Sequence, residues 1–431
     1  MTRIVLLAIL AVLVGSATPA RAHHRVTPPI TPVTSSGDNF LPRARPDWRR
    51  FAIIIDPARL ATDGYLEPAS KFDRGTFLGH SYMVRSDWFK KSLEVIIPGG
   101  NGANPTISKS GDEIAWDADC VTQYGCPSGE TGRQVYFWRQ GEGSTQLTHD
   151  PTGTSVNPFI AGRGNQIAFE SQGDLAGTGT SGGSQIFLIT AMVTGPVVVT
   201  QVTYGVGTSR NAVLSQSGRT MAFESTNDES GNDTGVSQIW LVTPGTAAPI
   251  THGAVSSQSP SVSIDGRFVT FESTAALVGD RHDTGVNQIF VYDVQRGVLS
   301  QLTNEASGCS RPSVELDLSD WRVVFVCNGI GYFELLNANQ RFQLPIPAGA
   351  DTPEVTGLGP NFLWVSTTAA LSCPRCDGQG CAEGTCATSG TTPDHQLFVI
   401  NKWKIPAIPV TSSPGSPSGA FLEAPAHYSC R

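Results

Sequence analysis

VTFESTAALVGDRHDTGVNQIFVYD, residues 269–293, is the stretch whose reading decides the fold. VTFES is β-branched and aromatic, LVGDRHDTG is dense in turn formers, and NQIFVYD resumes an apolar alternation, so the stretch reads as strand, loop, strand. The same sentence recurs as IAFES at 167–171 with QIFLI at 185–189, and as MAFES at 221–225 with QIWLV at 238–242. Self-similarity at a fixed period governs the architecture of a whole chain and outranks local propensity.

Aligned on this second strand, copies begin at Ile114, Ile167, Met221, Val269, Val323 and Leu363, with offsets of 53, 54, 48, 54 and 40 residues. Each copy is preceded by a short strand and a tight turn such as SKSGDE, SQSGRT or SIDGRF. A third strand follows, beginning at Gln134, Gln185, Gln238, Gln288, Tyr332 or Gln396. Most copies close on a fourth strand of the type SQLTN. Four strands per unit of this length is the size of a propeller blade. The expectation is an all-β, six-bladed β-propeller of four-stranded blades over residues 104–409. The pattern SxDGRxVxFES, polar loop, QIFVYD, QLT resembles the TolB-type β-propeller repeat, a WD40-like family. That resemblance implies an exported scaffold working through protein or ligand contact. The prolines at 406 and 409 remove ladder donors from the last copy's natural closing strand. LEVII at 93–97 is therefore expected to close the sixth blade, making 47–103 an N-terminal segment that supplies the closing strand.

The ends of the chain carry their own signals. Residues 1–22 read as a secretory signal: Arg3, an apolar run over 4–14, and Ala20-Arg21-Ala22 as cleavage site. Residues 23–46 are a Pro-rich linker and 410–431 a loose tail. The apolar run is too short to span a bilayer, so no transmembrane segment is expected after cleavage. The charge balance is 29 Lys and Arg against 37 Asp and Glu, a net −8, which leaves no basic face for nucleic acid. The expected protein is a periplasmic or extracellular monomer whose partner is a protein or cell-envelope component.

Nine cysteines in an exported chain point first to disulfides. Cys120 and Cys126 share one loop. Cys309 and Cys327 lie symmetrically about a predicted hairpin and are expected to face each other across it. Cys373, Cys376, Cys381 and Cys386 have the spacing C-x2-C-x4-C-x4-C, which resembles a zinc knuckle with Cys in place of His. CPRCDGQG also resembles the cysteine-rich repeat of DnaJ chaperones. Two disulfides are the expected state after export, and zinc is the alternative.

Aligned second strands place Asp117, Glu170, Glu224 and Glu272 at one equivalent position, with Val326 and Ser366 in the last two copies. Asn104, Asn157 and Asn211 recur just before the first strands. The arc is either a binding site for an ion or cationic partner or a repeated blade-to-blade hydrogen-bond network. Repeats duplicate packing residues, which favours the network. The loops at 230–235 and 279–285 are dense in Asp and Asn but lack EF-hand spacing, so calcium is a weaker alternative to Asx turns. No G-x-S-x-G, H-E-x-x-H or P-loop occurs. The sequence thus reads as a non-catalytic scaffold with no cofactor. A hydrolase or lyase using the acidic arc or a Cys-bound metal is the alternative.

Overall fold

A computed structural model describes residues 102–344 apart from 121–129, 131, 179–181, 191–196, 280–284 and 318–319. Outside that stretch it describes the backbone of eight further strands. The signal, the loop cysteine Cys126, the cluster Cys373, Cys376, Cys381 and Cys386, and the tail beyond 410 lie outside the described residues.

The repeat is realised as antiparallel meanders. The first sheet is Ala103–Ile107, Glu113–Asp119, Arg133–Arg139 and Gly143–Gln146. The second is Val156–Ile160, Gln166–Ser171, Gln185–Thr190 and Val198–Gln201. The third is Ser209–Leu214, Met221–Asn227, Asp233–Thr243 and Thr246–Pro249, and the fourth is Ser257–Val262, Phe268–Ser273, Gln288–Asp293 and Val298–Gln301. First strands of successive sheets lie beside one another, so they form the inner edge of the array. Both faces of the second, third and fourth sheets are covered by neighbours, which is why FVTFES is buried along its whole length rather than alternating.

The core consists of layers between sheets. Phe169 and Phe187 of the second sheet pack with Ala115, Val135, Phe137 and Leu147 of the first. Phe271 and Phe290 of the fourth pack with Ala222, Ile239 and Leu241 of the third. Within each sheet the two aromatics are cross-strand neighbours: Phe169–Phe187, Phe223–Trp240, Phe271–Phe290 and Phe325–Tyr332 all stack, with centroids 5.5 to 6.2 Å apart. Such pairs add about 0.5–1.5 kcal/mol beyond the area they bury.

The conspicuous Gln and Thr of the first four sheets form a clamp between the third and fourth strands. In the fourth sheet Thr303 Oγ1 donates to Gln288 Oε1 at 2.8 Å and accepts from the Ile289 amide at 2.8 Å. Gln288 Nε2 donates to the Glu305 carbonyl at 2.7 Å. Thr148 with Gln134, Thr203 with Gln185 and Thr251 with Gln238 repeat the arrangement. The clamp satisfies buried backbone groups where the fourth strand runs out.

The fifth sheet is Cys309–Asp317, Asp320–Cys327, Ile330–Leu335 and Gln340–Gln343, with Ile408–Val410 added to its outer edge. Its short second loop is a two-residue turn at Asn328-Gly329, both at positive φ (51° and 73°), the backbone a tight hairpin demands. Pro409 sits opposite Phe342 on the added edge strand, where a missing donor costs nothing.

The closure differs from the sequence expectation. Residues 93–97 belong to Ser92–Pro98, which pairs with Tyr82–Asp87, itself paired with Arg50–Ile55. This three-stranded meander satisfies its own ladder and has no strand to lend. The outer edge of Ala387–Asn401 is taken instead by Ile30–Pro32, with Ile30 opposite Ile400. The sheet Glu354–Leu358, Phe362–Ser372, Ala387–Asn401 is thereby completed to four strands. Arg50–Ile55 lies alongside Ala103–Ile107, in the relation that each first strand has to the next. Among the described strands there are seven sheets, five of them four-stranded.

Cys309 and Cys327 are register partners, with Cα atoms 4.1 Å and sulfurs 2.00 Å apart. The two residues are 18 apart in sequence, and cross-linking a loop of that size restricts the unfolded chain by about 3 kcal/mol. Oxidised protein alkylated under denaturing conditions should show neither thiol by mass spectrometry. Replacing both with Ala should lower unfolding free energy by about 3 kcal/mol; two alkylated thiols would rule the bridge out.

Candidate functional site

The carboxylate arc is built on a repeated backbone irregularity. In each of five sheets the first strand carries one residue in the left-handed region: Asn104 (φ 48°), Asn157 (51°), Asn211 (56°), Ser259 (57°) and Arg311 (57°). At that residue the register to the second strand shifts, as between Arg210 and Val213 or Gln258 and Ser261. Non-glycine residues pay for positive φ, and Asn pays least because its short amide bonds locally. The bulge turns its backbone N–H out of its own ladder toward the preceding sheet.

A carboxylate of that preceding sheet accepts it. Asp117 Oδ1 accepts from the Asn157 amide at 3.2 Å, and Glu170 Oε1 from the Asn211 amide at 2.8 Å. Glu224 Oε1 accepts from the Ser259 amide at 2.8 Å, and Glu272 Oε2 from the Arg311 amide at 2.9 Å. The same four acids also accept from the left-handed side chain of their own sheet: Asn104 Nδ2 at 2.8 Å, Asn157 Nδ2 at 3.0 Å, Asn211 Nδ2 at 2.8 Å and Ser259 Oγ at 3.1 Å. One carboxylate thus staples two sheets, and the staple is handed on around the inner edge. At the fifth sheet the equivalent of the acids is Val326, opposite Ser310, and the described chain of staples ends with the Arg311 amide.

All four acids are buried, none more than 6% exposed. Charge compensation is uneven. Arg133 donates to Asp117 through Nε at 2.6 Å and forms an ion pair with it, and Arg210 Nε donates to Glu224 at 2.9 Å. Gln258 Nε2 donates to Glu272 at 3.1 Å in place of an arginine. Burial pushes the Asp117 carboxyl above its ordinary range, opposed by the Arg133 charge and by hydrogen bonds. Burial likewise raises Glu272 above the carboxylate value of 4.5, against the Arg311, Ser259 and Gln258 hydrogen bonds. The arginines were not legible as partners from sequence, because they sit at different strand positions.

The opposite end of the array is joined by backbone bonds between successive first turns, with the Trp321 indole donating to Asp265 Oδ2 at 3.1 Å beside them. The Lys109 amide donates to the Gly162 carbonyl at 2.9 Å, Arg163 to Gln216 at 3.0 Å and Gln216 to Ile264 at 2.9 Å, each linking one first turn to the next. The longer loops and the inter-sheet connections gather at the other end. There Gly183 donates to Val206 at 3.2 Å, Val206 to Gly231 at 3.0 Å, and Cys309 to Asn287 at 2.7 Å. Cys120 is disulfide-bonded at this end.

Asp150 was missed by the sequence reading. Its carboxylate accepts from Thr152, Ser155 and Ser171 side chains at 2.6, 3.0 and 2.6 Å. Burial works to raise its pKa, yet these bonds outweigh it and hold the group below the usual value. In the loop at 228–235, Asp228 Oδ1 accepts from the Ser230 and Asn232 amides, both at 2.8 Å, an Asx turn in the position considered for calcium. Among the described residues no group of three His, Cys, Asp or Glu side chains is placed to hold a metal ion, and no helix is long and apolar enough to cross a membrane.

No protein-family model and no curated protein sequence matches the chain. Among solved structures, the β-propeller domain of the Trilobed protease from Pyrococcus furiosus aligns with a TM-score of 0.51 at 10% identity, over 88% of this chain and 100% of that one. This likeness supports a β-propeller fold. TolB from Acinetobacter baumannii aligns at 0.38 with 12% identity over 65% of this chain, and this chain spans 61% of its length. Acylaminoacyl peptidase from Pyrococcus horikoshii aligns at 0.48 with 10% identity over 77% of this chain and 50% of that one. At such identities the likeness concerns fold.

Two outcomes check the staple. Asn211→Gly keeps the backbone conformation and loses the amide bond to the Glu224 carboxylate, so it should cost about 2 kcal/mol, whereas Asn211→Val adds left-handed strain and should cost about 3–4 kcal/mol. Equal costs in urea unfolding would contradict the bulge argument. The second outcome concerns pH. A carboxyl whose folded pKa lies above its unfolded value contributes stability that is fully present below the unfolded pKa and is lost as pH rises through the folded one. For Glu272 the loss begins near its ordinary value of 4.5. The melting temperature of the wild type should therefore fall relative to that of Glu272→Gln as pH rises from there; a relative rise would contradict the assignment.

Proposed function

We propose that this chain is an exported β-propeller that binds a protein or cell-envelope component through its loop end and performs no chemistry of its own. The three-stranded sheet over residues 50–98 counts as a further blade in this reading, and Ile30–Pro32 is the strand that closes the last sheet. The observation that carries the proposal is the division of labour between the two ends. Short turns tie one end together through backbone bonds, while loops of different length and chemistry crown the other. Length variation on a rigid scaffold is where recognition is built.

The acidic arc belongs to the scaffold in this reading. Each of Asp117, Glu170, Glu224 and Glu272 commits one oxygen to the next sheet and accepts from its own sheet as well, so general acid–base work would have to compete with the staple. Recognition falls instead to exposed residues of the loop end, among them Tyr204, Val206 and Val255, large apolar side chains on the connections into the third and fourth sheets. The alternative, a secreted hydrolase or lyase, would need its reacting groups from those loops or from the Cys373–Cys386 region.

Site-specific photo-cross-linkers in the native host test this. Placed at Tyr204 or Val255, they should give discrete adducts with one partner. Placed at Arg219 or Asp265, on the short-turn end, they should give none. Adducts confined to the short-turn end would refute the assignment of faces. Turnover of an ester or peptide by purified chain, abolished by a single loop substitution, would favour the enzyme.

A further inference from the structure

The third sheet lacks a piece that its neighbours have. Counting from the Phe of the FES motif, the sixth residue onward is Leu175 after Phe169 and Leu277 after Phe271, but Glu229 after Phe223. Leu175 with Ala176, and Leu277 with Val278, pack against the core layer that holds the aromatic pair of their own sheet. In the third sheet the corresponding residues are Glu229 and Ser230, both exposed. The loop stands up instead, and the third strand is lengthened to Asp233–Thr243.

The vacated space is a cleft of about 570 Å³ whose lining includes Asp228, Glu229, Trp240, Pro249, Thr251 and His252. Trp240 is the cross-strand partner of Phe223, the position held by Phe187 and Phe290 in the flanking sheets. Those two rings are at most 1% exposed, whereas Trp240 is half-buried and borders the cleft. Its Nε1 is shielded from solvent with no hydrogen-bond partner among the described residues.

The charge of the cleft is one-sided. Among the described residues no Lys or Arg lines it. Hydrogen bonds from Asn232 lead those that hold the Asp228 carboxyl below its ordinary value, so it stays anionic. The loop also carries Glu229 and Asp233, and beyond it stand exposed Tyr204 and Val206, joined to it by the Val206–Gly231 backbone bond.

We propose that this cleft binds a basic side chain, Arg or Lys, presented by an extended segment of a partner protein. Its hydrocarbon stem replaces the missing leucine over Trp240 and Pro249, and its cationic head meets Glu229 and Asp228. A long stem ending in a charge fits a floor that is aromatic and a rim that is acidic. This deepens the reading of the loop end as the binding face and rests on it.

The test uses the full mature chain and three labelled, end-blocked pentapeptides, Gly-Ser-Xaa-Ser-Gly, in which Xaa is Arg, norleucine or Glu, followed by fluorescence anisotropy. The Arg peptide should bind with a Kd of about 0.1–1 mM, and the other two at least about tenfold more weakly. Glu229→Leu rebuilds the plug of the flanking sheets and should abolish binding without lowering the melting temperature. Glu229→Gln keeps the shape and should weaken the Arg peptide about tenfold. Equal binding of the Arg and norleucine peptides, or undiminished binding by folded Glu229→Leu, overturns the proposal. Absence of binding by all three overturns it too. If cross-links at Tyr204 and Val255 persist in that case, only the ligand class fails and the scaffold reading stands.

Discussion

Everything else in this structure depends on a hydrogen bond that crosses from one sheet to the next. A four-stranded meander has two greasy faces and cannot stand alone, so each must be held against neighbours at a fixed angle and height. Apolar layers supply the attraction but are non-directional. The carboxylate that accepts one donor from its own sheet and one backbone N–H from the following sheet supplies the direction. The left-handed bulge is what makes that N–H available. Strain of about 1–2 kcal/mol at each bulge is offset because a buried amide finds an anionic acceptor, a stronger bond than a neutral one.

This constraint explains why the sequence repeats polar residues as faithfully as apolar ones. The Gln and Thr of the third and fourth strands repeat because together they terminate a ladder. Asn recurs at 104, 157 and 211 in three first strands because it tolerates the left-handed backbone better than most residues. These periodic features were legible in the sequence, including the equivalence of Asp117, Glu170, Glu224 and Glu272. Their meaning was only half legible. Ser259 and Arg311 occupy the same left-handed position without resembling Asn, so the amide rather than the side chain is the constant element.

Strand partnering was the part that could not be read. LEVII at 93–97 has the composition of a strand, but composition does not say which edge it joins. A hairpin partner at Tyr82–Asp87 lies close in sequence and wins over a distant edge, as loop-closure entropy favours. The strand that does cap Ala387–Asn401 contains Pro32 and only three residues, too little pattern to be noticed. The cleft over Trp240 was hidden for a different reason. A missing leucine is visible only once the three loops are laid side by side from their FES motifs.

Native-state hydrogen exchange at the amides of Asn157, Asn211, Ser259 and Arg311 tests the central claim most directly. If carboxylate staples hold the sheets in register, these four amides exchange only through global unfolding, as slowly as the buried amides of Phe223 and Phe271. Glu224→Ala should then release the Ser259 amide selectively. Exchange at these amides through local opening, orders of magnitude faster than at the core strands, would show that the staples do not hold the sheets in register.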